Sequence, residues 1–184
     1  MPSFAVAAVS VRNAVKRLRR NRRGSVAVEF AFIAPIFFAL LFAIIETGMV
    51  FFAGQVLETG VQDSARLMFT HQAQDGGMSE FDFKTDLCNR IKTLFNCAGD
   101  PMSLNVDVTL FAPGTSISLT DPIVGGKLTP PFTYRLPPVG TVSTVVVRVF
   151  YPWQLFVTGL GYNIANLEDH QRLLAATAAF HVEP

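Results

Sequence analysis

One feature constrains this chain more than any other: a basic tract stops at a glycine and a long apolar run follows. The stretch reads Arg22-Arg23-Gly24-Ser25-Val26-Ala27-Val28-Glu29-Phe30, and no charged residue then occurs until Glu46. From Val26 to Ile45 the run makes about 30 Å of helix, which matches the hydrocarbon core of a bilayer. A single membrane span is expected. Glu29 is the one interruption, and a carboxylate in such a helix costs about 2.5–3.5 kcal/mol at the centre, less toward an end. Its position calls for a compensating partner.

The net charge of +1 hides an asymmetry. Residues 1–24 hold seven of the fifteen basic residues and none of the fourteen acids, which leaves −6 on the remainder. A basic block on an acidic body implies an anionic partner for the block alone. The apolar run behind it selects phospholipid rather than nucleic acid, and the tract has no interleaved aromatics. Lys and Arg flanking a span stay on the cytoplasmic side. The expected organisation is a basic cytoplasmic leader at 1–24, a transmembrane helix at 25–46 and an extracytoplasmic domain at 47–184. A cleaved secretory signal is the rival. The run is long for a signal core, and no small-x-small pair lies between Ile36 and Leu57, so a retained anchor is favoured.

Within the span, Pro35 removes one helical hydrogen bond. Small residues or proline recur every fourth position at Ala27, Ala31, Pro35, Ala39 and Ala43, a stripe along which another helix can approach closely. Alanine is also simply common in such helices. Beyond Glu46, Val50, Leu57, Val61, Ala65 and Met68 continue an amphipathic pattern, so one helix is expected from about Ser25 to about Thr70, ended by Gln74-Asp75-Gly76-Gly77.

Ser79 with Asp82 three residues on resembles a helix cap, and Phe83, Leu87, Ile91 and Leu94 form one stripe. A second helix is expected from about Ser79 to Phe95, stopped by Ala98-Gly99-Asp100-Pro101. Leu104 to Leu110 alternates as a half-buried strand, with Asn105, Asp107 and Thr109 on its polar side. Residues 112–140 read mainly as a long loop. The valine-rich stretch from Thr141 to Tyr151 reads as a central strand ended by Pro152. Trp153, Phe156, Leu160 and Tyr162 are expected to cover a core edge, and Leu173 to Val182 to form a last strand. The fold class is α+β: a long helix packed on a small antiparallel sheet of three or four strands, with one short extra helix.

Cys88 and Cys97 are the only cysteines. In a continuous helix they would lie about 13.5 Å apart, too far for a bridge. A disulfide, which an oxidising compartment permits, therefore needs the chain to leave the helix and fold back before Cys97. Two buried thiols are the alternative. His71, His170 and His181 fall in no metal or nucleophile motif, Gly125-Gly126-Lys127 lacks the rest of a phosphate loop, and Asp82 with Asp86 read as solvated. No enzyme, cofactor or metal site is expected.

Cleavage after Gly24 would leave a free amine on Ser25, with Glu29 one turn along on the same face. An amine from a neighbouring subunit pairing with Glu29 would offset the cost of immersing both. Arg23-Gly24-Ser25-Val26-Ala27-Val28-Glu29-Phe30-Ala31 with Pro35 resembles the TadE-like family of tight-adherence (Flp) pilus assembly proteins and the wider type IV prepilin processing signal. The likeness continues through Ser64-Ala65-Arg66, a cysteine on the next helix, Val149-Phe150-Tyr151-Pro152 and the terminal stretch from Leu174 to Pro184. Phe30 departs from the tyrosine of major pilins, and the body is large for one; both point to a minor pilin or pseudopilin. His181-Val182 also departs from the Arg-Asn usual before the closing Glu-Pro.

The resemblance implies cleavage between Gly24 and Ser25 by a prepilin peptidase and docking through Glu29. It implies as partners a companion pseudopilin, the major pilin and the Tad secretion platform of a bacterial inner membrane, with the domain periplasmic. Two alternatives stand beside it: an uncleaved single-pass scaffold, and an anchored extracytoplasmic binding domain outside any filament.

Overall fold

A computed structural model describes residues 24–97, 103–129, 131–157 and 162–183. The basic tract, the Ala98–Pro101 stop and Leu160 lie outside them. The chain divides into two compact units, the first ending at Phe42 and the second beginning at Ala43.

Helix α1 runs unbroken over Ser25–Phe69, with Pro35 inside it. In the first unit its residues from Val26 to Phe42 are exposed, apart from half-buried Ala34, Ala39 and Leu41. In the second unit, Ala53, Leu57, Val61, Ala65 and Met68 are fully or almost fully buried. Three- and four-residue spacing puts them on one face, the stripe the sequence announces. The helix ends against His71, whose φ of 62° is left-handed. A short helix α2 (Gln72–Asp75) follows, so the turn cluster lies one element later than expected, at Gly76 and Gly77.

Helix α3 (Glu80–Ile91) opens on a full capping box: the Ser79 side chain accepts from the Asp82 N–H, and the Asp82 carboxylate accepts from the Ser79 N–H. It ends four residues before the expected Phe95, and the chain turns back through Leu94 and Phe95, whose N–H groups both reach the Ile91 carbonyl. That reversal brings Cys97 to Cys88, and the two are disulfide-bonded with Cα atoms 5.8 Å apart.

The sheet has three antiparallel strands in the order β1 (Asn105–Phe111), β4 (Ser143–Gln154), β5 (Gln171–Val182). Val145, Val147 and Val149 of central β4 face the helices and join Leu57, Val61, Phe83, Leu87, Val106 and Val108 in one core. Phe95 lies edge-on to Tyr151 and Trp153 at that core's margin, with ring centroids 4.8 and 5.7 Å away.

Two expectations about β4 and its neighbours are corrected. Pro152 does not end the strand, which continues to Gln154. Pairing with β1 stops at Phe150, while Pro152 sits opposite Leu173 of β5. The Leu173 N–H points away from β4, to the Asn166 side chain at 2.7 Å. In an antiparallel ladder this makes 152 and 173 a non-hydrogen-bonded pair. The donor that proline lacks would thus face the side that β1 has already left, where it breaks no ladder bond.

Residues 112–140 are also more than a loop. They contain a small hairpin, β2 (Ile123–Val124) and β3 (Lys127–Leu128), whose two-residue turn needs left-handed backbone at both Gly125 and Gly126. Tyr134 then bridges to Val108 in parallel along the outer side of β1. On the sheet face away from the helices, Phe132 packs on Phe150, and the Thr120 carbonyl accepts from Arg148 at 2.8 Å.

Candidate functional site

The sequence-assigned residues fall into two places. Gly24 is exposed immediately before α1, and Ser25 is the helix's first residue. Glu29, Ala27, Ala31 and Pro35 are exposed, and Ala39 and Ala43 are half-buried. The uninterrupted helix carries Ala27 to Ala43 at four-residue spacing, hence as one stripe. Cys88 and Cys97 form the second place, bonded in the turn after α3. An open depression of about 640 Å³ lies against that turn, lined by Phe81, Thr85, Asn89 and Lys92.

A site that sequence reading missed lies where the apolar run closes. Glu46, which marks the end of the run in sequence, is only 6% exposed. Its Oε1 accepts the backbone N–H of Phe156 and that of Val157, the latter at 2.9 Å. Its Oε2 has no hydrogen-bond partner among the described residues. One residue on, the Thr47 hydroxyl donates to the Ala43 carbonyl at 2.7 Å and is hydrogen-bonded to the Tyr162 hydroxyl. The start of the β4–β5 connection is thus strapped to α1. Phe156 does not cover a core edge as expected: it is 82% exposed, whereas its neighbour Leu155 is buried. No local signal pairs Glu46 with a backbone more than a hundred residues away.

Three further groups escaped the sequence reading. Asp107 is not on a wet strand face: it is 4% exposed and directly opposite Arg148 in the ladder. Arg148 donates to Asp107 Oδ2 through Nε at 3.1 Å and Nη2 at 2.6 Å, and Thr133 donates to Oδ1 through N and Oγ1. The guanidinium also lies over the Phe150 ring at 5.3 Å. Asp86 is not merely solvated either. Burial pushes its carboxyl up, but hydrogen bonds from Arg90 and from Ser64, with the charge of Arg90, outweigh this and hold it below its ordinary value. Finally, α3 crosses α1 at Gly60, where a Cβ would stand 2.6 Å from the Ile91 Cγ2. Three glycines, Gly48, Gly54 and Gly60, lie inside the helical pattern, and a Cβ at either of the first two would meet open space, so the sequence did not single out the crossing.

Among the described residues no group of three or more His, Cys, Asp or Glu is placed to hold a metal ion. The same residues include one helix long and apolar enough to cross a membrane, and its most apolar window is entirely unburied. A soluble domain's core helix would be largely covered instead. Fold and surface together define a class: an α+β domain on a helix whose length, composition and exposure suit a membrane anchor. Residues 24–66, from the glycine through Arg66 of α1, match the TadE-like protein family. The chain carries a TadE-like domain there, which implies a role in Tad pilus assembly among the components of that system. No curated protein and no solved structure matches the chain.

Proposed function

We propose that the chain is a minor pilin or pseudopilin of a Tad (Flp, type IVb-like) pilus, cut after Gly24 and assembling through α1. The observation that carries this reading is the coincidence of two boundaries at the head of α1. The family match begins at Gly24, and the basic tract ends at Arg23. A cut there leaves a free amine at the head of an exposed apolar helix. Glu29 follows one helical turn along, on the same face as Ser25. The amine of one subunit pairs with the Glu29 carboxylate of another, and neither then enters lipid as an isolated charge. The stripe from Ala27 to Ala43 lets the helices approach closely.

In this reading the tract before Gly24 is cytoplasmic and the domain from residue 47 is periplasmic, on a bacterial inner membrane. The Cys88–Cys97 bond supports that side, because such bonds persist in oxidising compartments. A prepilin peptidase, a companion pseudopilin, the major pilin and the secretion platform are the partners.

N-terminal sequencing of the protein recovered from membranes tests the cut. A chain starting at Ser25 supports the reading, and an intact leader supports an uncleaved scaffold. Glu29→Ala tests docking: it is expected to leave membrane insertion intact and weaken co-purification with partner pilins. Unchanged co-purification would remove the pairing role.

A further inference from the structure

In sequence the apolar run ends at Glu46, but on the helix surface it does not. Glu46 is buried beneath the Phe156 and Val157 backbone, so the exposed face of α1 continues through Met49, Phe51 and Phe52. The next exposed polar side chain is Gln55. From Phe30, just past Glu29, to Phe52 the exposed face of α1 carries no charge over about 33 Å, against about 30 Å for a hydrocarbon core. A bilayer matched to this surface reaches past Glu46. The strap fastened to Glu46 then lies at interfacial depth.

We propose that Leu155–Val157 docks into the headgroup–acyl boundary of the bilayer, with Phe156 as its anchor, so that the domain is seated on the membrane at a second point besides α1. The proposal rests on reading α1 as a membrane anchor. Three observations select lipid as the occupant. Phe156 is 82% exposed beside a helix turn whose own exposed residues, Ile44 and Ile45, are apolar. The sequence carries no charge from Leu155 to Leu167. The N–H groups of Phe156 and Val157, which would be costly to bring into a lipid boundary unpaired, are both taken by Glu46. Apolar and aromatic side chains, phenylalanine among them, are what interfacial segments bury at the headgroup–acyl boundary.

Trp153 is the chain's only tryptophan, so a depth measurement needs no added label. The full chain carrying Trp153→Phe and Phe156→Trp is reconstituted in phosphatidylcholine–phosphatidylglycerol vesicles. A reference chain carries Trp153→Phe and Leu119→Trp, the latter at an exposed position in the 112–140 connection. The tryptophan at 156 is expected to emit at shorter wavelength than the one at 119. It should lose most of its intensity to lipids brominated near the headgroup and less to lipids brominated deep in the chain. Emission and quenching equal to those at 119, in a chain that resists alkaline carbonate extraction, overturn the docking and leave the anchor standing. A blue shift without bromolipid quenching overturns it too, by showing that protein covers the site. Release of the chain by carbonate overturns both readings.

Discussion

Glu46 and Asp107 are carboxylates that the chain buries in opposite ways. Glu46 stands against backbone donors alone, and its loss would strand two N–H groups. An unsatisfied buried donor costs about 1–3 kcal/mol. Glu46→Ala is therefore expected to lower stability by about that amount in thermal melts of the full chain in detergent, while Glu46→Gln, which keeps an accepting oxygen, loses less. Equal losses would show that charge, not hydrogen bonding, holds the strap. Asp107 is paired with Arg148 and also accepts from Thr133, so its two oxygens are both used. Asp107→Ala leaves a guanidinium buried without its counter-charge, and breaking such a pair costs about 3–5 kcal/mol. The double variant Asp107→Val with Arg148→Met is expected to recover much of that loss in denaturant titrations, because it removes the stranded charge.

At the scale of elements, the crossing of α1 and α3 depends on the missing side chain at Gly60. Ile91 Cγ2 and Leu87 Cδ1 occupy the space a Cβ would need, at 2.6 and 3.1 Å. Overpacking a close contact costs about 1–3 kcal/mol, whereas glycine inside a helix already costs about 1 kcal/mol relative to alanine. Gly60→Ala is thus expected to be nearly neutral or mildly destabilising, and Gly60→Val to lower the denaturation midpoint clearly. A Gly60→Val chain as stable as wild type would mean that the helices separate freely. The same crossing is held at its rim by the Ser64 hydroxyl, which donates to Asp86 at 2.8 Å.

For the whole molecule, Tyr134 ties the long connection on the sheet edge to the turn before α3. Its hydroxyl donates to the Met78 carbonyl at 3.3 Å, and its ring lies 6.1 Å from that of Phe83. Burial first, then the charges of Asp82 and Glu80, push its phenol up to about 12 from an ordinary 10.0. A raised phenol favours the proton-bound folded state, so its contribution is complete below the unfolded value. It is lost as the pH rises from about 10 to about 12. Stability measured across that window should fall more steeply in wild type than in Tyr134→Phe, and parallel curves would show that the phenol does not ionise differently on folding.

Most of the fold was legible because its signals are local. The length of the apolar run, the three- and four-residue spacing to Met68, the Ser79–Asp82 box and the valine alternation of β4 each follow from a few neighbouring residues. The glycine–glutamate spacing at the head of α1 is equally local, and so is the family resemblance it carries. What only the tertiary structure decided depends on partners far apart in the chain. Pro152 is tolerated because β1 is two residues too short to need its N–H. Asp107 is buried because Arg148 lies opposite it and the 112–140 connection covers that face. Glu46 ends the apolar run in sequence and yet leaves the helix surface apolar, because the backbone at Phe156 and Val157 covers its charge. A residue's type states what it needs, but only the folded chain decides whether water, lipid or a distant backbone supplies it.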